Sequence, residues 1–169
     1  LDAERVIAKT INFLSVYGGG VKKLASSCEL PMALAKHVRQ RHEEVFATSY
    51  KWLKGIEDFV KVNKYAISLF GRSRRLPDVA SSDTGVVHSC LRKGKNFVIQ
   101  SSASDVLVAA NIEIYRFLKN SKFPARIVAN VHDSIEIICK KTHTKELLPM
   151  LKEMLLKPKI LKEAFNLEL

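Results

Sequence analysis

Cysteine is scarce in this sequence: Cys28, Cys90 and Cys139 are odd in number and far apart. That spacing indicates neither a CxxC metal knuckle nor a disulfide framework, and it fits a reducing compartment. Long apolar runs are missing too. The longest, such as Ile127 to Val131, fall far short of the roughly 20 residues that a membrane helix requires, and no signal peptide opens the chain. No membrane partner is therefore expected. Glycine and proline number only 7 and 5, and no internal repeat or low-complexity tract appears. Acidic residues are outnumbered 17 to 28, which leaves a net charge of +11. Such an excess points to a polyanionic partner, with nucleic acid the better candidate. What is present in quantity is apolar: 47% of the 169 residues, enough for a core in one or two compact domains.

Residues 2 to 16 read as a helix ended by the glycine run Gly18 to Gly20. Val21 to Cys28 reads as a short second helix, Pro31 opens a third to about Phe46, and Ser49 is placed to cap a fourth to about Asn63. Tyr65 to Leu69 is β-prone and leads into Gly71-Arg72-Ser73-Arg74-Arg75-Leu76-Pro77, where three arginines are expected on a bend. Asp83 to Leu118 is mainly helical in its apolar spacing, with an interruption allowed at Phe97 to Ile99. The period then changes. Ala125 to Val131 and Ile135 to Cys139 predict a hairpin with His132-Asp133-Ser134 at its tip and Ile135, Ile137 and Cys139 on one face. Thr142 or Thr144 would cap a last helix to about Leu156, and Phe165 to Leu169 reads as the start of a strand. The predicted class is α+β. Because the chain opens at Leu1 inside a predicted helix and stops just after that strand begins, a piece of something larger is expected.

Arg5, Lys9, Phe13 and Tyr17 recur every four residues. At about 100° per residue each step turns a helix by roughly 400°, so the four side chains drift by only about 120° and share one face. Two cations one turn before an aromatic ring suit a ligand with a polyphosphate at one end and a flat heterocycle at the other. Ordinary packing of Lys and Arg stems against rings remains open as the other reading. Ile7, Ile11 and Leu14, at i, i+4 and i+7, are expected to form the core edge of the same helix.

Asp133 at the hairpin tip suits a magnesium ligand, since hard cations take carboxylate oxygens and share them with substrate phosphates. A turn aspartate bonding its own backbone is the competing reading, and His132 beside it is equally ambiguous alone. Arg92, Asn96 and Gln100 again follow a four-residue spacing. Such donors can bond minor-groove acceptors present in every base pair, or form a merely solvated face. Arg72, Arg74 and Arg75 just before them could hold one strand's backbone in register.

Taken together, these residues resemble the C-terminal part of a family A DNA polymerase, the group of bacterial DNA polymerase I, along the whole chain. Arg5-x3-Lys9-x3-Phe13-x3-Tyr17-Gly18 looks like motif B. Phe70-Gly71-Arg72-Ser73-Arg74-Arg75-Leu76-Pro77-Asp78 looks like the FGRxRxLPD segment, Gln100-Ser101-Ser102-Ala103-Ser104-Asp105 like QGTAAD, and Val131-His132-Asp133 like motif C. The resemblance implies a fingers subdomain over 1–78 and part of a palm over 79–169, in a template-directed enzyme that joins dNTPs to a primer 3′-hydroxyl with two Mg2+ ions. Arg5, Lys9, Phe13 and Tyr17 would bind the nucleotide, with Lys9 and Asp133 the catalytic pair of groups. Arg74, Arg92, Asn96, Gln100 and His132 would contact primer and template, and Asp133 would hold metal. Leu14 after Phe13, Ser101 after Gln100 and Ser134 after Asp133 depart from the family pattern. The family's second aspartate belongs to motif A, which precedes motif B and is not in these residues. The remainder of the polymerase, motif A and thumb, is therefore an expected partner, and the 169 residues alone are expected to be inactive. A non-catalytic basic DNA-binding module on the same scaffold and a single-subunit RNA polymerase are the alternatives. The implied location is the cytoplasm of a bacterial or phage-infected cell, an organellar matrix or nucleus remaining open.

Overall fold

A computed structural model describes residues 2–166. Seven α-helices and two antiparallel strand pairs are present among them, so the α+β expectation holds. The chain divides into two compact units, Leu1–Ile99 and Gln100–Leu169.

In the first unit, α1 (Asp2–Val16), α2 (Val21–Ser27) and α3 (Met32–Val45) enclose a core of Leu24, Ala25, Cys28 and Ala35. Ile11 and Leu14 of α1 pack on it. Ile7 does not: it is 40% exposed, because the α2–α3 cluster reaches only the C-terminal half of α1. The helix stops where its backbone demands glycine. Gly18 has φ +82°, and the Gly19 amide donates to the Leu14 carbonyl at 2.6 Å, the six-residue closure that satisfies an otherwise orphaned helix carbonyl. Pro31 caps α3 from outside, and α4 (Ala47–Asn63) follows Phe46 directly, with Ser49 inside it rather than at its cap.

Leu53, Ile56 and Val60 give α4 its inward edge. Val60 joins Ala66, Leu76, Val79, Cys90 and Leu91 in a second core. Strands β1 (Tyr65–Ile67) and β2 (Ser73–Arg75) pair with Tyr65 opposite Arg75 and Ile67 opposite Ser73. The expected bend of three arginines is thereby corrected. The turn is spent on residues 68–71, where the Gly71 amide donates to the Ser68 carbonyl at 3.0 Å, so Arg74 and Arg75 lie on a paired strand.

The long helix α5 (Thr84–Asn120) begins at Asp83, whose Oδ1 accepts the Gly85 amide at 2.7 Å, as an N-capping carboxylate does. It shows no interruption at Phe97–Ile99. Phe97 and Val98 pack on the Val60 cluster, and that burial outweighs the few tenths of a kcal/mol by which β-branched residues disfavour helix. The expectation that no segment is long and apolar enough to cross a bilayer is also corrected, since α5 has 37 residues and a window with mean hydropathy of 1.2. Counting uninterrupted apolar runs overlooks a helix whose apolar residues are punctuated by Asp105 and Glu113.

In the second unit the C-terminal part of α5, β3 (Ala125–Val131), β4 (Ser134–Cys139) and α6 (Thr144–Leu156) build a core of Ile114, Leu118, Phe123, Leu147 and Leu151, and α7 (Lys159–Phe165) follows with Leu161 buried. Ile135, Ile137 and Cys139 face it as the alternation requires. A bulge at Val128 shifts the register, with Ile127 opposite Ile137 but Ala129 opposite Glu136. Thr144 is the first residue of α6 and His143 its cap. The strand expected from Phe165 is corrected in part: Phe165 ends α7 and Asn166 closes it with φ 51°, while residues 167–169 lie outside the described residues.

Candidate functional site

Arg5, Lys9, Phe13 and Tyr17 sit on successive turns of α1. Because Ile11 and Leu14 take the buried side of the helix, this edge is left outward, with Phe13 51% exposed. Its members interact with one another. The Lys9 ammonium lies 5.8 Å from the centre of the Phe13 ring, and the Phe13 and Tyr17 rings stand 5.6 Å apart at 36°. Neither Arg5 nor Lys9 pairs with an acidic side chain among the described residues. The result is a continuous cation–cation–ring–ring edge whose charges are uncompensated, suited to phosphate at one end and a stacked base at the other. Phe13 is thus not one of the buried rings that the packing reading requires, while Tyr17 is partly buried.

At the C-terminal end of that edge the structure brings in α5. A Cβ built on Gly18 would lie 3.4 Å from both Cγ and Cδ of Arg92 and 4.0 Å from Lys95 Nζ. The glycine thus serves twice, taking a left-handed φ and letting an arginine stem pass close to the backbone. Arg92 and Asn96 follow one turn apart on α5, and Gln100 occupies the next turn at the head of the second unit. Arg74 is exposed on β2.

Lys95, between Arg92 and Asn96, is a residue that sequence reasoning missed. It is 8% exposed and its ammonium lies 2.7 Å from Glu57 Oε1 on α4. Buried lysines need such a partner. Its neighbours line a cavity of about 170 Å³ that includes Gly18, Arg39 and Ser15, and the Ser15 hydroxyl, 2% exposed, has no hydrogen-bond partner. Nothing in the sequence flags Glu57 with Lys95, since 38 positions separate them.

In the second unit, His132 and Asp133 form the two-residue tip of the β3–β4 hairpin, Val131 pairing directly with Ser134. His132 is left-handed, φ 54°, a conformation that costs a non-glycine residue roughly 1–2 kcal/mol. Ser134 closes the tip: its hydroxyl lies 3.0 Å from the Val131 carbonyl and 3.2 Å from Glu136 Oε1. The Asp133 side chain is exposed and does not act as a turn aspartate bonding its own backbone. A free carboxylate on a rigid tip is the donor a hard divalent cation takes. It supplies only part of a coordination shell, for no three acidic, His or Cys side chains cluster to hold a metal among the described residues. A groove of about 690 Å³ elsewhere in this unit is lined by Ile112, Glu113, Phe117, Lys159 and Ile160, and none of the predicted site residues borders it.

The sequence pattern of DNA polymerase family A matches residues 2–168. DNA polymerase I of Helicobacter pylori strain J99 is 31% identical over 85% of this chain and 16% of its own length. That of Bacillus caldotenax is 29% identical over 88% of this chain and 17% of its own. The chain therefore spans about a sixth of these relatives. Among solved structures, the polymerase domain of Pol1 from M. smegmatis, in complex with DNA primer-template and dNTP, superposes with a TM-score of 0.82 and 25% identity, covering 90% of this chain and 27% of that one.

Proposed function

We propose, because this chain belongs to DNA polymerase family A, that it supplies the fingers (1–78) and part of the palm (79–169) of a template-directed DNA polymerase. The observation that carries the reading is the outward Arg5–Lys9–Phe13–Tyr17 edge, ended by a glycine turn against which Arg92 packs. The M. smegmatis neighbour's primer-template and dNTP support the ligand class.

In this reading Arg5 and Lys9 bind the triphosphate, Phe13 packs on its base and sugar, and Tyr17 borders the templating position. The reaction joins the primer 3′-oxygen to the α-phosphorus as the bond to pyrophosphate breaks. Cations beside the triphosphate offset the charge that builds on the departing oxygens. Arg92, Asn96, Gln100 and His132 lie along primer and template near the terminus, and Arg74 on their backbone. Asp133 would hold Mg2+, which when bound would supply Lewis-acid chemistry at the primer 3′-hydroxyl and at the departing pyrophosphate. The second carboxylate, in motif A, and the thumb come from elsewhere in the polymerase, so these 169 residues do not extend a primer by themselves.

The test uses the complete polymerase. Lys9→Ala removes charge-assisted hydrogen bonds of about 1.5–3 kcal/mol, which corresponds to a loss of roughly 10- to 150-fold in kcat/KM for dNTP, with duplex affinity nearly unchanged. Asp133→Asn abolishes incorporation and spares binding. Equal loss of binding and incorporation in Lys9→Ala would make the edge structural, and unchanged turnover in Asp133→Asn would remove the metal assignment.

A further inference from the structure

The outward edge of α1 can meet a nucleotide correctly only if the helix is held at one pitch, and hydrogen bonds from α3 reach both its middle and its end. Asn12 lies between Lys9 and Phe13, about 100° around the helix from the ring. Its Oδ1 is 2.9 Å from His42 Nε2 on α3, and Nδ1 of the same imidazole is 3.1 Å from the Tyr50 hydroxyl on α4. A neutral ring with its proton on Nε2 satisfies both: Nε2–H donates to the amide oxygen and Nδ1 accepts the phenol proton. One turn earlier on α3, Arg39 Nη1 donates to the Gly19 carbonyl at 2.9 Å, in the turn that ends α1. Arg39 is itself braced by Glu43 at 2.6 Å and by the Tyr50 ring, whose centre is 5.6 Å from its guanidinium carbon.

Two residues three positions apart on α3 thus grip the middle and the end of α1, and both lean on Tyr50. Among the described residues of α1, Ile11 and Leu14 are those that pack on the α2–α3 cluster. Beside the grip are open spaces, about 200 Å³ lined by Asn12, Val16, His42, Phe46 and Tyr50, and the smaller one next to Gly18. Where close packing is interrupted, directed hydrogen bonds set the geometry that interdigitated side chains would otherwise impose.

We propose that Arg39 and His42 are positioning residues, mounting α1 at two points and so setting where Lys9 and Phe13 meet the nucleotide; this rests on the polymerase reading above. The mount has a protonation signature. Burial, then the Arg39 charge, hold His42 below its ordinary value of 6.5, against an opposing pull from Glu43. The groups facing the ring are Arg39 and Glu43 from α3, Tyr50 from α4 and the non-titrating Asn12 from α1. The folded state favours the neutral ring, so its contribution is complete above pH 6.5 and is lost as pH falls from there towards the lowered folded value. A second ring proton forces the Tyr50 hydroxyl to turn from donor to acceptor beside a fixed cation.

In the complete polymerase, His42→Phe keeps ring volume and removes both hydrogen bonds. The expected result is a KM for dNTP raised roughly 5- to 20-fold, a smaller change in kcat, unchanged duplex affinity and loss of the acid limb that His42 imposes on kcat/KM. Tyr50→Phe, which removes a single hydroxyl, should move KM in the same direction by a smaller factor, and the double variant should be no worse than His42→Phe alone. Arg39→Met should raise KM independently. Amide exchange across Asn12 to Tyr17 should quicken in every variant, a readout that needs no activity. Unchanged KM and unchanged exchange in Tyr50→Phe and His42→Phe would overturn the proposal. A complete wild-type polymerase that extends no primer would instead sink the functional reading, leaving exchange to decide the mount.

Discussion

Three consecutive glycines end α1, and the structure asks something different of each. A Cβ on Gly19 would lie 2.7 and 2.8 Å from Leu14 Cδ2 and Cβ and 3.1 Å from the Leu14 carbonyl oxygen. Leu14 Cβ belongs to the helix frame and cannot rotate away, and its side chain packs on the α2–α3 cluster. The turn itself must move, which strains the 2.6 Å bond from the Gly19 amide to Leu14. Overpacking costs about 1–3 kcal/mol and a weakened hydrogen bond about 1 kcal/mol, so Gly19→Ala should destabilise by roughly 2–4 kcal/mol. At Gly18 the Cβ is tolerated at 3.4 Å from Arg92, and the cost is the φ of +82°. That is about 1–2 kcal/mol, reduced by the roughly 0.4–1 kcal/mol that alanine gains by restricting the unfolded chain. At Gly20 nothing lies within 4 Å and φ is −67°, so alanine should be near neutral. For a chain of this length each kcal/mol lowers Tm by about 2–4 °C. Thermal melts followed by far-ultraviolet circular dichroism should therefore rank the variants Gly19→Ala below Gly18→Ala below Gly20→Ala. If Gly20→Ala melts as low as Gly19→Ala, the loss reflects generic backbone stiffening and the steric argument is refuted.

The purified 169-residue chain, given primer-template, magnesium and four dNTPs, should yield no extended product while still retarding the duplex, as its charge of +11 requires; a ladder of products would refute the need for motif A. Ser134→Ala removes the hydroxyl that bridges Val131 and Glu136 and should loosen the tip by about 0.5–1 kcal/mol. Faster amide exchange at the hairpin and a several-fold drop in kcat at constant KM are the expected readouts, and unchanged exchange would show that the tip needs no such closure.

Much of the architecture was legible because it rests on local patterns. Helical spacing located α1 to α4, and alternation located β3 and β4 with their inward isoleucines. The four motifs carried the family resemblance because their gaps follow from the chemistry they serve. Errors arose where a longer-range contact outweighed a local preference. Phe97 and Val98 stayed helical because the Val60 cluster rewards them, and β2 formed from an arginine-rich segment because β1 lay ready to pair with it.

What the residue order determined alone was the periodicity of each element and the grouping of Arg5, Lys9, Phe13 and Tyr17 on one edge, since both follow from 3.6 residues per turn. Only tertiary structure decided that this edge faces outward, that Gly18 admits Arg92, and that α1 is held by Arg39 and His42 and α5 by the Glu57–Lys95 pair. Those facts depend on side chains brought together across 20 to 74 positions of chain. No spacing rule reaches that far, because such meetings are set by how the cores fill.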